Sequence, residues 1–73
     1  MIDNERYEEL ANAIVLQAVS DYRDALRGKK VGGKDPELTI RECENFFRSD
    51  RYRIITTVDG EYLIQNIRKE FIN

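Results

Sequence analysis

The sequence predicts a small all-α protein, a single domain over residues 1–73 built as a bundle of four helices. Apolar side chains recur at helical spacing along residues 4–27, and a second one-sided apolar pattern occupies residues 61–71. The composition, 41% hydrophobic and 36% charged, is that of a globular domain. At this length the chain has room for one thin core.

The first helix is predicted from a cap at Asp3 or Asn4 to Arg27, with Gly28 as its stop. Its apolar side chains cover about half of the circumference, more than the stripe of ~100° that a one-sided helix shows. They are Tyr7, Leu10, Ala11, Ile14, Val15, Ala18, Val19, Tyr22, Ala25 and Leu26. An arc this wide must be covered, and we expect either the other helices or a second copy to cover it, which would make a homodimer through the long N-terminal helix.

Residues 28–36, which hold three glycines, three lysines and the sole proline, predict a flexible Gly/Lys loop. The stretch "GKKVGGK" also fits the phosphate-loop pattern G-x-x-x-x-G-K. However, a helix precedes it where the motif needs a strand, and Asp35 replaces the Ser or Thr that would hold magnesium. We therefore expect a linker and no nucleotide site.

The second helix is predicted from a capping box, Thr39 with Glu42, to about Arg48. Pro36 fits the first helical turn. The buried side chains expected on this helix are Ile40, Cys43 and Phe46 or Phe47.

The segment "SDRYRIITTVDGEYL" supports two structures. Five consecutive β-branched residues followed by Asp59-Gly60 are typical of a β-hairpin, which would give an α+β fold with a hairpin at residues 51–64. Alternatively, Ser49 or Asp50 caps a short helix and Asp59 caps a C-terminal one. The second strand lacks a period of two, and a lone hairpin is only marginally stable. We favour the helices.

Several function classes lack the residues they need. The chain has no histidine, so the usual general base at neutral pH is missing and Ser/His or Cys/His catalysis is excluded. Cys43 is the sole cysteine, which excludes an internal disulfide and a paired-cysteine zinc site. Glu42 and Glu44 project from different sides of a helix, so their carboxylates form neither an acid/base pair nor a metal site. We predict a non-enzymatic protein without metal or cofactor.

The N-terminus does not resemble a signal peptide, and no segment approaches the ~20 apolar residues of a membrane helix. A reducing cytoplasm, without membrane association, is the expected location. The formal charge is −2, with acidic regions on both sides of a basic knot at residues 27–34.

Two surfaces are candidates for binding. Tyr62 lies away from the apolar face of its helix, and with Arg51, Arg53 and Tyr52 it would form a protein-binding surface, since Tyr and Arg are frequent at binding hot spots. The alternative is a tyrosine lying flat on its own domain. The second surface, for nucleic acid, consists of the basic knot. Its cations are Arg27, Lys29, Lys30 and Lys34.

The stretches "AIVLQAVSDYRDALRG", "ECENFFRSDRY" and "VDGEYLI" resemble a group of small uncharacterised proteins encoded by phages and prophages of Gram-positive bacteria, especially clostridia. The resemblance covers most of the chain outside the 28–36 loop and implies helices across the third and fourth elements. It carries no catalytic residues. A phage origin favours a protein that binds and blocks a host component, such as a defence component. Together with the missing catalytic groups, the wide apolar arc and the exposed Tyr and Arg candidates, it predicts a protein-binding module that inhibits or modulates a host protein by covering its surface. The alternative is a small nucleic-acid-binding regulator that uses the basic loop.

Overall fold

Four helices form the protein, as a computed structural model shows for the backbone of residues 4–72 and the side chains of residues 12–72. They are α1 (Asn4–Leu26), α2 (Pro36–Phe47), α3 (Asp50–Ile55) and α4 (Gly60–Lys69). The predicted all-α fold is confirmed. The cap expected at Asp3 and the side chains of Tyr7, Leu10 and Ala11 lie outside the described residues.

The alternative hairpin at residues 51–64 is wrong, because side-chain caps start a helix at each end of that segment. The Ser49 hydroxyl accepts the Tyr52 amide at 3.2 Å, and the Asp59 carboxylate accepts the Glu61 amide at 2.9 Å. The β-branched run is divided between two conformations. Its first residues end α3, and Thr56 is extended, with φ −152° and ψ 152°.

The N-cap of α2 lies four residues earlier than the capping box predicts. Asp35 is its N-cap and accepts the Glu37 amide at 3.2 Å, with Pro36 in the first turn. Thr39 therefore lies inside the helix, where it is buried and its hydroxyl has no hydrogen-bond partner among the described residues. The Asp-Pro pair starts the helix because the residue before proline favours extended backbone, which is the conformation of an N-cap.

The loop between α1 and α2 has a defined conformation. Gly28 has a φ of +84°, and the Gly28 and Lys29 amides bond back to the carbonyls of Ala25 and Asp24, both at 2.9 Å. This is the Schellman pattern that ends a helix. Gly32 and Gly33 both have positive φ and form a tight turn closed by the Lys34 amide and the Val31 carbonyl at 3.1 Å.

The core lies where α2, α3 and α4 meet the C-terminal half of α1. Four aromatic rings form its centre, with neighbouring centroids 5.6 to 5.7 Å apart, mostly edge to face: Tyr22, Phe46, Phe47 and Tyr52. Such pairs stabilise beyond the burial of their area. The other buried members are Val19, Cys43, Ile64 and Ile67.

Gly60 is required by the packing of α4 on α2. A Cβ at this position would overlap the backbone carbonyl of Phe47. Because glycine has no Cβ, the first turn of α4 can lie directly against the last turn of α2. The Asp-Gly pair thus serves as a helix cap followed by a close contact, and not as a hairpin turn.

Candidate functional site

A cleft of about 670 Å³ lies between the end of α2 and the start of α4. We call it the α3–α4 cleft. The segment joining α3 to α4 forms one wall, with Thr56, Thr57 and Val58. Arg48, Arg53 and Glu61 also line the cleft, so its walls carry both signs of charge.

Large apolar side chains are exposed in the stretch of chain that contributes residues to this cleft. Ile54 is 77% exposed and Tyr62 is 66% exposed, and Val58, which lines the cleft, is about half exposed. All three fall within the nine residues 54–62. Isolated exposed apolar residues are ordinary, but several at one junction are typical of an interaction surface. Tyr62 is exposed, as the sequence predicts.

The two arginines of the cleft differ in the ion pairs that they form. Arg48 is tied to Glu61 and to Glu44. Arg53 approaches only Asp50 among the described residues, at 3.4 Å, and both side chains are largely exposed. An exposed pair of this kind is screened by water and adds little to stability. The Arg53 guanidinium is thus available to a partner.

Two residues of the predicted protein-binding surface lie elsewhere. Tyr52 is 1% exposed and belongs to the aromatic core, because α3 turns its ring toward Phe46 and Phe47. Its assignment to a binding surface is corrected here. Arg51 lies next to it in sequence but lines a different groove, along α1. Of the four predicted residues, Tyr62 and Arg53 remain in the stretch that runs from α3 into α4. We call this stretch, residues 53–62, the α3–α4 junction.

Sequence reasoning missed the role of Glu44, whose side chain is 16% exposed. Its carboxylate accepts a hydrogen bond from the Tyr22 hydroxyl at 2.6 Å. Arg68 donates to it from α4, with Nε at 3.2 Å, and Arg48 lies 3.5 Å away. These four residues, the Glu44 cluster, join α1, α2 and α4. The spacing of Glu44 from Cys43 and Phe47 in α2 was the only sequence signal that it borders the core.

The charges of the cluster hold Glu44 ionised. Partial burial by itself would raise the pKa of this carboxyl, but the hydrogen bonds from Tyr22 and Arg68 and the nearby guanidinium charges outweigh it, so the pKa is lowered. Burial, and then the bond to Glu44, raise the pKa of the Tyr22 phenol. Both groups keep one protonation state near neutral pH. The cluster is therefore built to hold helices together, with no proton to exchange.

The Cys43 thiol is buried and donates to the Ala18 carbonyl at 3.7 Å. Burial raises its pKa to about 11, with nearby acidic side chains adding to the effect. A thiol in this state is a poor nucleophile at neutral pH because the thiolate is scarce.

The basic knot is partly used within the protein. Lys34 pairs with Glu42 at 2.9 Å, and Arg27 lies over the Phe71 ring at 5.6 Å. Lys29 and Lys30 are exposed and form no salt bridge with a residue that the structure describes. Two cations supply weak attraction to a phosphate backbone. Asp35 caps α2 at the position where a phosphate loop would bind its ligand.

Within residues 12–72, no cluster of three or more Cys, Asp or Glu side chains is arranged to hold a metal ion. None of the four helices, over the described part of the chain, has the length and apolar character to cross a membrane.

In comparisons with known proteins, no family model, no curated protein and no solved structure matches this chain.

Proposed function

We propose that this protein is a non-enzymatic, protein-binding module that inhibits or modulates a host protein by covering part of its surface. The observation that carries the proposal is the α3–α4 junction. There the exposed Ile54, Val58 and Tyr62 lie in one short stretch with the available guanidinium of Arg53. Apolar and aromatic anchors beside an arginine are the composition of a binding hot spot.

The resemblance to small phage and prophage proteins supplies the expected setting. The module would be phage-derived and would act in the cytoplasm of a bacterial host cell, on a host protein such as a defence component. The long helix α1 would allow two copies to associate. A protein of this kind needs no catalytic group, since occupying a surface is its whole mechanism.

The test is capture from a lysate of a Gram-positive bacterium, with and without nuclease, followed by identification of the bound protein by mass spectrometry. Binding to the identified protein is then measured with purified variants. Tyr62→Ala and Arg53→Glu should each weaken it by about thirtyfold or more, the scale of a hot-spot residue.

Matched controls separate the surface from general effects. Gln65→Ala changes an exposed residue of α4, and Arg41→Glu reverses an exposed arginine of α2. Both should bind as the unchanged protein does. If all four variants bind equally, the α3–α4 junction is not the binding surface. If only nucleic acid is captured, and nuclease removes it, the protein is a nucleic-acid-binding regulator, and charge reversal of Lys29 and Lys30 should abolish that binding.

A further inference from the structure

A second groove, of about 580 Å³, runs along α1 and has Arg51 among its lining residues. We call it the α1 groove. Helix α1 forms one wall with Ala13, Ile14, Gln17, Ala18 and Asp21, at the spacing of one helical face. Phe46 of α2 and Arg51 of α3 form the other wall. The groove is separate from the α3–α4 cleft, with which it shares no lining residue.

The groove uses the part of the α1 apolar arc that the core leaves uncovered. Val15, Val19 and Tyr22 face the core, whereas Ile14 on the same arc remains 51% exposed. Helix α1 is about 34 Å long and α2 about 18 Å, from a rise of 1.5 Å per residue. The shorter α2 therefore runs along only part of α1. The two alanines let another helix approach closely.

The charges beside the groove are self-complementary. Asp21 and Arg51 supply one acid and one base. The Asp21 carboxylate accepts a hydrogen bond from Gln17 at 2.8 Å, and neither charged residue forms a salt bridge with another residue that the structure describes. In an interface with twofold symmetry, residue i of one copy contacts residue j of the other, and j contacts i. If a second copy sets its Arg51 against Asp21, the symmetry repeats the contact in the other direction and makes two ion pairs. A partner of one dominant charge would meet one attractive and one repulsive residue.

We propose that the α1 groove is a homodimer interface, occupied by α1 of a second copy of this chain. Ile14 of each copy lies in the groove of the other, between Phe46 and the alanines, and the Asp21–Arg51 pairs close the edges. This inference deepens the self-association included in the proposed function. It leaves the α3–α4 junction free, so a dimer would carry two host-binding surfaces.

The first experiment measures the dissociation constant of the dimer by sedimentation equilibrium over micromolar to millimolar concentrations of the full chain. Ile14→Glu should weaken association by about thirtyfold or more, because it buries a charge at the centre of the interface. Leu16→Glu is the matched control. Leu16 is 66% exposed on the same helix and lies outside the groove, so this variant should change association less than about twofold. Circular dichroism verifies that both variants keep their helices.

The second experiment exchanges charges. Asp21→Arg alone places two cations in each groove, and Arg51→Asp alone places two anions, so each variant should be monomeric by itself. Mixed in equal amounts, the two variants should form a heterodimer, because the introduced arginine then meets the introduced aspartate, and the original Arg51 of one chain meets the original Asp21 of the other. The doubly exchanged chain should dimerise with itself. These two rescues are specific to a twofold interface and do not depend on the absolute stability of a single variant.

The inference is overturned if the unchanged protein stays monomeric throughout the concentration range, if Ile14→Glu leaves the dimer intact, or if the mixed variants remain monomeric. Each outcome is distinguishable from failure of the proposed function, because host-protein capture is measured separately with Tyr62→Ala. If Ile14→Glu reduces host capture in a protein that is monomeric throughout, the groove binds a helix of the host protein instead of a second copy.

Discussion

Two tyrosines with almost no exposed surface, Tyr22 and Tyr52, belong to regions that are held together in different ways. Both rings pack edge to face on Phe47. The Tyr22 hydroxyl donates to Glu44 at 2.6 Å, whereas the buried Tyr52 hydroxyl has no hydrogen-bond partner in the part of the chain that the structure describes. One region, the Glu44 cluster, combines packing with a charged hydrogen-bond network. The other, which we call the Phe47 corner (Phe47, Tyr52 and Gly60), relies on ring packing and close backbone contact.

The difference shows how a small core can bury polar groups. A buried hydroxyl that hydrogen-bonds to a carboxylate adds stability, whereas one without a partner costs roughly 1–3 kcal/mol of desolvation. The phenylalanine-like part of Tyr52 must therefore outweigh its own hydroxyl. Substitutions in the two regions should accordingly have effects of different size and sign.

The largest loss is expected from Gly60→Ala in the Phe47 corner. At the first turn of an exposed helix, alanine would stabilise relative to glycine. Here its Cβ would overlap the Phe47 carbonyl, so α4 must move away from α2. We expect the free energy of unfolding in urea to fall by about 2–4 kcal/mol. A variant as stable as the unchanged protein would show that the helices do not approach this closely.

Glu44→Ala should cost about 2–3 kcal/mol, because it leaves the Tyr22 hydroxyl buried without an acceptor and removes the partner of Arg68. Glu42→Ala is the control on the same helix, since Glu42 is exposed and, among the described side chains, pairs only with Lys34 across the loop. Urea denaturation of both variants at neutral pH measures the difference. Equal losses would mean that the buried cluster contributes no more than a surface ion pair.

Tyr22→Phe keeps the ring and removes the hydrogen bond, so it should destabilise by about 1–2 kcal/mol. The loss is smaller than for Glu44→Ala because Glu44 keeps its bond from Arg68. A double-mutant cycle of the two substitutions should give a clear coupling energy. Additive losses would argue against direct interaction between the two groups.

The Glu44 cluster should also make stability depend on acid. The folded-state pKa of Glu44 is lowered, so its contribution is fully present above the pKa of the unfolded chain and is lost as pH falls through the folded-state value. Below about pH 4.3, the ordinary pKa of a glutamate, the protein should therefore lose stability more steeply than the Glu44→Gln variant does. Parallel curves from urea denaturation at a series of pH values would contradict this assignment.

No loss is expected from Tyr52→Phe, which should leave the free energy of unfolding unchanged or raise it by up to about 1–3 kcal/mol, because it removes a buried hydroxyl that has no partner among the described residues. The same measurement as for Tyr22→Phe makes these two substitutions a matched pair. A loss as large as that of Tyr22→Phe would reveal a hydrogen bond of the Tyr52 hydroxyl in solution and would abolish the contrast between the two regions.

Much of the fold followed from local patterns. The four helices, the caps at Ser49 and Asp59 and the stop near Gly28 were predictable, because caps and helical periodicity involve residues close in sequence. The start of α2 was wrongly predicted at Thr39. Asp35 and Thr39 are both suitable N-cap residues, and the helix begins at the Asp35-Pro36 pair. Within the binding surface, the exposure of Tyr62 was predictable from its position on α4, whereas the burial of Tyr52 was not.

The helical class, the missing histidine and the wide apolar arc of α1 could all be read from the chain alone, because composition and periodicity do not depend on distant contacts. The packing of the helices was needed to show which part of that arc enters the core, that Glu44 joins three helices, and that Gly60 lies against the Phe47 carbonyl. Each of these depends on residues far apart in the chain. Their distances are set by how the helices pack, and no local pattern encodes that.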